Sequence, residues 1–404
     1  MDDELKLETL VIRTPWPKGA AAYTSGGGRD TPLPSPSAKP SDIELVAQAR
    51  EAVSLVKTSV HSLTQSQRDE IERDPYSTSL FQMSFHSVHP KSSGDSEASP
   101  ESEDMSWGIR AIGAGSLDAE AGRGVVVAVL DTGIDSGHDA FKDVALTRFN
   151  FTGDPDEDID GHGTHCAGTI FGRDVGGIRI GVARGVEKAL IGKVLGQNGG
   201  STQMVLDGIH WAMGLGANVI SMSLGIDFIA FHEGLLDKGL NPRAATSIAL
   251  RTYQETLRVF DSIGAVAMNA GGVARPALFV GASGNASKRP GYTIACEPPA
   301  TANGFVSVAA IDASDRIARD SNTKPFIAAP GVDILSAKRG GGLIRRSGTS
   351  MAAPHVAGIA CVLLANNPGL GCGDIRFLLQ QNARPLAGKT EDIGFGIATL
   401  PGAT

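Results

Sequence analysis

The chain has 404 residues, of which 41% are hydrophobic, a length that suits one large domain with an extension or two domains. Its 44 acidic and 36 basic residues give a net charge of −8, which argues against nucleic acid or an anionic membrane as a partner. The first residues, MDDELKLETL, are acidic and lack the basic and apolar regions of a secretory signal. No later segment supplies about 18 uninterrupted apolar residues. We therefore expect a cytoplasmic protein.

Two low-complexity stretches divide the first hundred residues, one at 26–40 and an acidic, serine-rich one at 91–104. Between them Ser41 and Glu44 form a capping-box pattern. Apolar residues at helical spacing follow and predict a helix of about five turns: Val46, Ala49, Val53, Val56 and Val60.

A second capping-box pattern, Thr64 with Gln67, predicts a short polar helix that ends at Asp74–Pro75. The segment 81–85 then alternates apolar with polar residues, which predicts a half-buried strand. Together with LKLETLVIR near the amino terminus, these elements indicate a small α+β unit ahead of the main domain.

From Trp107 onward, apolar runs alternate with helical segments rich in glycine and alanine. The runs are near-continuous, as strands covered on both faces require: 125–131, 189–195, 217–225, 277–285 and 305–312. This rhythm predicts an α/β fold with a doubly wound, mostly parallel sheet. Ligands bind such sheets at the carboxyl ends of the strands, where Asp131, Gly225 and Asn285 lie.

The four cysteines, at positions 166, 296, 361 and 372, show no metal-ligand spacing and are too few for a disulfide framework. We expect them to be mostly reduced.

Asp131-Thr132-Gly133 suits two kinds of hydrolytic site. A site with paired aspartates needs a second such triplet, and the sequence Asp-Thr-Gly occurs once. A site with a nucleophilic serine needs a base and a nucleophile elsewhere, and two motifs offer them, DGHGTHCAGTI (160–170) and SGTSMAAPHVAG (347–358).

In the first motif His162 stands between two glycines at a predicted helix start. In the second, Ser350 begins a predicted helix, whose first backbone N–H groups face any oxyanion formed there. We place Pro354 in the first turn of that helix, where proline is tolerated.

These motifs resemble those of subtilisin-like serine proteases, the subtilases, with features similar to the proteinase K branch, over residues 105–400. The order Asp, His, Ser is that of subtilisin. The resemblance implies a three-layer α/β/α fold in which Asp131 orients His162, His162 is general base and then acid, and Ser350 attacks the carbonyl. It implies that Asn285 and the Ser350 N–H hold the oxyanion, that His138, His165 and His355 are structural, and that the chemistry needs no cofactor.

Subtilases bind a polypeptide substrate as an added strand between two backbone edges. By resemblance these edges contain Gly199 and Gly200 on one side and Ser223, Leu224 and Gly225 on the other. The 60-residue interval from Gly225 to Asn285 is longer than a minimal subtilase needs, and its first part is either a lid or groove wall, or a peripheral loop.

Aligning Pro299-Ala300 with the family's proline turn puts Glu297 in the primary specificity pocket, which predicts a preference for Lys or Arg before the cleaved bond. A one-residue shift puts Cys296 there instead. An acidic run before His162 has three open interpretations, a solvated loop, a calcium site or a second element that favours basic substrates: Asp154, Asp156, Glu157, Asp158 and Asp160.

The resemblance also predicts the domain organisation. Residues 1–90 form an inhibitory pro-domain whose tail enters the cleft, 91–104 a linker that is cut, and 105–404 the peptidase domain. A partner-binding module or a disordered arm are the alternatives for the first segment. The whole-chain alternative is a catalytically silent binding or scaffold protein with a subtilase fold, against which the intact Asp131, His162, Asn285 and Ser350 argue.

Overall fold

The computed structural model describes residues 6–13, 57–87, 96–97, 104–268 and 277–402. The amino-terminal unit is an antiparallel three-stranded sheet in the order β2–β1–β3 with one helix. Its elements are β1 (Leu7–Arg13), β2 (Lys57–Leu63), α1 (Gln65–Glu72) and β3 (Ser77–Phe81). Leu10, at the centre of β1, lies opposite Val60 of β2 and Leu80 of β3, which fixes the register of the unit.

The helix predicted to run to Val60 is wrong at its end, because Val60 lies in β2 and pairs with β1. Strand pairing overrides a helical spacing of β-branched residues, which favour strands intrinsically. Residues 41–56, with the Ser41 capping box, and the stretch 26–40 lie outside the described residues.

The second capping box is confirmed. Gln67 N donates to Thr64 Oγ1 at 3.3 Å, and Thr64 N donates to Gln67 Oε1 at 2.9 Å, so both backbone donors at the start of α1 are satisfied. The single strand predicted at 81–85 is instead two strands in different sheets, β3 and β4 (Ser84–Ser87). The predicted alternation of burial holds across the break, because Phe81, Met83 and Phe85 are buried.

The main domain contains a seven-stranded parallel sheet, so the predicted doubly wound α/β fold is confirmed. Its order is β14 (Ile327–Pro330), β13 (Phe305–Ile311), β12 (Leu278–Ala282), β10 (Val219–Met222), β6 (Val126–Asp131), β8 (Lys188–Lys193) and β7 (Ala145–Asn150). The sequence patterns missed the two edge strands. β7 has a largely exposed, polar sequence, and β14 is only four residues long, so neither produces a long apolar run.

Helices cover both faces of this sheet. The helices described in the main domain are α2 (Trp107–Ala111), α3 (His162–Phe171), α4 (Thr202–Gly214), α5 (Phe228–Asp237), α6 (Pro242–Met268), α7 (Thr349–Asn366), α8 (Cys372–Gln381) and α9 (Thr390–Ile393). Along β6, Val127 and Val129 pack with α3 and α7, whereas Ala128 and Leu130 pack with α4 and α6. This alternation of faces produces the three layers.

Helix α7 is long and apolar enough, by length and composition, to cross a membrane, but 83% of its apolar window is buried inside the protein. It therefore behaves as the central core helix, and its burial explains why it lacks a polar face.

Two further small sheets lie among the described residues. One contains β4 between β9 (Gly200–Ser201) and β11 (Leu224–Ile226), and the other has the order β15 (Ile334–Ala337), β16 (Leu343–Arg346) and β5 (Ser96–Glu97).

Candidate active site

The candidate residues lie at the end of one strand and at the starts of two helices. Asp131 is the last residue of β6, His162 is the first of α3, and Ser350 is the second of α7. All three are buried, with side chains that solvent barely reaches. The sheet and the two helices thus fix these groups on rigid elements rather than on loops.

The His162 ring is held by Asp131. Its Nδ1 lies 2.6 Å from Asp131 Oδ1, and the same carboxyl oxygen accepts Thr132 N at 2.7 Å. A carboxylate partner at Nδ1 fixes the proton on that nitrogen and leaves Nε2 as the basic atom.

Asp158, which sequence reasoning did not single out, ties the Asp131 turn to the start of α3. Its buried carboxylate accepts from Thr132 Oγ1 at 2.9 Å, from Gly161 N at 2.8 Å, and from Thr164 N and Oγ1 at 2.9 and 2.6 Å. Two of the otherwise orphaned backbone donors near the helix start are satisfied in this way. The only sequence signal was its place in the acidic run, which is dominated by solvated residues.

Pro354 lies inside α7 and not in its first turn, so that prediction is wrong. A proline has no N–H to donate four residues back, and the carbonyl left without a helical partner is that of Ser350. Ser223 Oγ donates to this oxygen at 3.0 Å and Cys166 Sγ lies 3.4 Å from it. Ser350 Oγ in turn donates to Ser223 O at 3.3 Å. The proline in α7 therefore leaves the Ser350 carbonyl to be bonded by Ser223 and by Cys166 of α3.

Asn285 lies beside the amino terminus of α7, half-buried. Its Oδ1 accepts Thr349 N at 3.0 Å, so its amide nitrogen, a donor, is on the other branch of the side chain. Gly284 N donates to Thr349 Oγ1 at 3.2 Å and fixes the loop. A side-chain donor and the first backbone N–H groups of α7 therefore lie at one place.

The two predicted substrate edges flank β4, the strand that follows the amino-terminal unit in the chain. Gly200 pairs with Phe85 from one side, while Leu224 and Gly225 pair with Ser87 and His86 from the other. A Cβ atom on Gly199, whose φ is 81°, would lie 2.3 Å from Phe85 O. Only glycine permits that approach of the two backbones.

Glu297 lies behind the second edge. Cβ atoms built on Gly225 and on Gly284 would each be 2.5 Å from its Oε1, so both glycines leave space for this carboxyl group. Burial, and then the nearby Asp227 charge, raise the pKa of Glu297 to about 8. Cys296 is buried with its Sγ 3.8 Å from Glu297 O, whereas the three atoms nearest a Cβ built on Gly225 all belong to Glu297.

The long interval after Gly225 folds into α5 and α6. These helices pack with Leu7 and Phe81 of the amino-terminal unit through an apolar cluster. The described part of the interval, residues 226–268 and 277–284, is therefore neither a peripheral loop nor a free lid in this structure.

The acidic run is largely satisfied within the protein. Lys193, 2% exposed, donates to Pro155 O at 2.6 Å and to Glu157 O at 2.7 Å, so an ammonium group lies under the loop. Asp154 Oδ2 accepts Gln197 N at 2.6 Å. Asp160 contacts Arg346.

Among the described residues, one His/Cys/Asp/Glu group has the proximity of metal ligands, Asp131 with His162 and Cys166. Burial, and then the Asp131 charge, raise the pKa of the Cys166 thiol. Metals bind the thiolate, so this group fits a metal poorly. The four cysteines are buried and not disulfide-bonded, as expected.

The other motif histidines make structural contacts. His138 Nε2 lies 2.8 Å from Gly342 O, and His165 Nε2 lies 2.9 Å from Ile334 O. Burial, and then the Arg346 charge, lower the pKa of His165 to about 3, and burial lowers the pKa of His355 to about 4. Both rings therefore stay neutral at ordinary pH.

Comparison with known proteins supports the resemblance. Residues 122–397 match the profile of the subtilase family. The chain belongs to the subtilase family. It is 32% identical over 315 residues to subtilisin-like protease 6 of Trichophyton equinum, which is 71% of this chain and 66% of the relative. It is 33% identical over 293 residues to subtilisin-like protease 9 of Arthroderma otae, covering 69% and 64% of the two chains. Against subtilisin-like protease 1 of Arthroderma benhamiae it is 33% identical over 278 residues, covering 64% and 59%.

This subtilase thus spans less than two thirds of the length of the relatives named here. The expectation of a cytoplasmic protein is wrong, because the comparison with these fungal subtilisin-like proteases contradicts it.

Proposed function

We propose that this subtilase is a serine endopeptidase that hydrolyses polypeptides with Asp131, His162 and Ser350. The observation that carries the proposal is the buried 2.6 Å contact between His162 Nδ1 and Asp131 Oδ1, next to the helix start that presents Ser350. Family membership supports it. The family chemistry needs no cofactor.

In the proposed reaction, His162 Nε2 takes the proton of Ser350 Oγ as that oxygen attacks the substrate carbonyl. Asn285 and the Ser350 N–H donate to the oxyanion, and each such donor contributes about 3–4 kcal/mol. His162 then protonates the leaving amine, which departs and leaves an acyl-enzyme. Water, deprotonated by His162, hydrolyses this ester and restores Ser350.

A fluorophosphonate probe tests the proposal because it labels only an activated serine. The expected result is labelling of the self-processed chain at Ser350 and none in Ser350→Ala. Asp131→Asn should lower turnover by about 10⁴-fold, since the imidazole then adopts the wrong tautomer. If no Ser350-dependent labelling occurs after linker cleavage, the protein is not a protease.

We propose further that residues 1–90 are an inhibitory pro-domain, 91–104 a cleaved linker and 105–404 the peptidase domain. The support is β4, whose backbone pairs with both Gly200 and Gly225, the edges that a substrate strand would use. An occupied cleft excludes substrate.

Incubation of the purified chain followed by amino-terminal sequencing tests this organisation. The expected new amino terminus falls between Ser87, the last residue of β4, and the start of the peptidase domain. Ser350→Ala should stay intact and distinguishes self-cleavage from a contaminant. An uncut chain with full activity would contradict the pro-domain assignment.

We propose that Glu297 confers a preference for Lys or Arg before the cleaved bond. Its carboxyl group lies against Gly225, which pairs with the strand in the cleft. A basic side chain entering there would form a charge-assisted contact and favour the ionised acid.

Reporter peptides that end in Arg, Leu or Phe measure this preference, with Glu297→Gln as the matched variant. The Arg reporter should have the highest kcat/KM, and Glu297→Gln should remove its advantage. In the segment 88–95, Lys91 is the single Lys or Arg, so a self-cleavage site after Lys91 is also expected. A clear preference for Leu or Phe would refute the assignment.

A further inference from the structure

The linker adds a strand to the hairpin that precedes Ser350. β15 and β16 form an antiparallel hairpin, and β5 pairs antiparallel with the other edge of β16. Ser96 lies opposite Arg345, and Glu97 lies opposite Ile344. The outer edge of β16 therefore accepts an extended polypeptide through its backbone groups.

This hairpin abuts the turn that carries His162. Arg339 Nη1 donates to Ile159 O at 2.7 Å, and Arg346 Nη2 donates to Asp160 O at 3.2 Å. Asp160 Oδ1 accepts the backbone N–H of His162 at 3.1 Å. The edge of β16 is thus part of the rim of the candidate active site.

Chain direction assigns this edge to one side of the scissile bond. β4 ends at Ser87 on the Leu224–Gly225 edge, and β5 begins at Ser96 on the hairpin. A bond cut between these two positions has β4 upstream and β5 downstream. The edge of β16 is consequently available to the part of a substrate that follows the cleaved bond, an inference that rests on the proposed protease function.

Charge favours one class of ligand at this edge. The linker from 92 to 104 contains five carboxylates and no basic residue: Asp95, Glu97, Glu101, Glu103 and Asp104. The hairpin contributes four cations, Lys338, Arg339, Arg345 and Arg346.

The other described elements bring three carboxylates to the hairpin, which is fewer than the four cations of the hairpin itself. Asp160 contacts Arg346, Asp333 lies 3.8 Å from Arg345, and Asp135 accepts Gly340 N. The side chains of Arg345 and Arg346 are only 16% and 11% exposed, so both are already held in place and lose little conformational freedom on binding.

We propose that the outer edge of β16 is a binding site for an extended acidic segment downstream of the cleaved bond. In the uncut chain it holds the linker. In the processed enzyme it selects polypeptide substrates with acidic residues after the scissile bond, by backbone pairing together with the charge of the hairpin.

Three probes test the proposal on the self-processed chain. The first is a quenched fluorescent peptide of residues 84–104, and the second is its twin with the five carboxylates replaced by Asn or Gln. The third is a short reporter whose dye directly follows the scissile bond, so that it cannot reach β16. The acidic peptide should be cleaved with about tenfold higher kcat/KM than its twin, through KM, and added salt should reduce the difference.

Arg345→Glu should reverse the preference when the kcat/KM of each twin peptide is divided by that of the short reporter on the same variant. Arg316→Gln, which changes an exposed arginine paired with Asp312, is the matched control. It should change neither the preference between the twin peptides nor the hydrolysis of the short reporter. Equal kcat/KM for the twin peptides on the unmodified enzyme would overturn the proposal without reference to any variant. Failure of the short reporter would instead contradict the protease function itself.

Discussion

Arg68 of the amino-terminal unit donates to Glu255 of the long helix α6 at 3.0 Å, and none of the Arg68 side chain is exposed. The same guanidinium donates to Ser79 O at 2.9 Å and lies over the Phe81 ring at 3.9 Å. A buried arginine is tolerated only when it is paired and hydrogen-bonded. The interval between Gly225 and Asn285 therefore supplies a counter-charge for the proposed pro-domain.

Removing one partner of this pair should weaken the docking of the unit. In a Ser350→Ala background that prevents cleavage, Glu255→Leu should destabilise the docked unit by up to about 3–5 kcal/mol, because buried Arg68 keeps only the longer 3.5 Å contact with Glu72 as an ion pair. Arg68→Met combined with Glu255→Leu should recover most of the loss. Hydrogen exchange of the β1 and β3 amides measures the loss in the single variant and the recovery in the double variant. Arg110→Met breaks an exposed pair with Asp104 and should cost under about 1 kcal/mol.

The raised pKa of Glu297 makes stability depend on pH. Its ordinary pKa is 4.5 and its pKa in the folded protein is about 8, so the folded state binds more protons between these values. The free energy of unfolding should therefore fall as pH rises from about 4.5 to about 8, by about 1.4 kcal/mol per pH unit from this group. Denaturant unfolding across this range should show the slope in the Ser350→Ala chain and its loss on adding Glu297→Gln. Glu233→Gln, at an exposed position, should retain it.

Pro354 in α7 and the Ser223 hydroxyl both determine how the Ser350 carbonyl is hydrogen-bonded, and this coupling can be tested. Ser223→Ala removes the hydroxyl donor to the Ser350 carbonyl and should cost about 1–3 kcal/mol of unfolding free energy. With Pro354→Ala the helix regains an N–H for that carbonyl, so Ser223→Ala should cost less in that background. A double-mutant cycle measured by urea unfolding gives the coupling. Equal costs in both backgrounds would show that the two groups do not share the carbonyl.

Lys193 provides a test of the acidic loop. Lys193→Met leaves the carbonyls of Pro155 and Glu157 without this donor and should lower the unfolding free energy by about 1–3 kcal/mol for each orphaned group. Because donors within the protein already contact the loop, namely Lys193, Gln197 N and Arg346, chelating calcium should leave Tm of the unmodified protein unchanged. A large drop in Tm on chelation would favour the calcium interpretation of the acidic run instead. Scanning calorimetry with calcium and with a chelator measures both effects.

Local patterns predicted much of the fold. Strands buried on both faces have continuous apolar runs, so β6, β8, β10, β12 and β13 were visible in the sequence. The helix starts at His162 and Ser350 were visible because glycines mark them. Strands such as β2 and β7 were not, since their partners come from distant parts of the chain and their own residues are polar or helically spaced. The part of Asp158 in fixing the active-site turn was hidden for a similar reason, because an acidic run does not reveal which carboxylate is buried.

The sequence by itself determined the family, the layered fold and the identity of the candidate catalytic residues, because these depend on residue types at short spacings. Only the tertiary structure decided which groups meet across long separations. It put Arg68 against Glu255, Ser223 against the carbonyl freed by Pro354, Glu297 behind Gly225, and Ser96–Glu97 of the linker along β16. Each of these contacts joins segments whose approach is set by the packing of the whole chain, and no local pattern records such an approach.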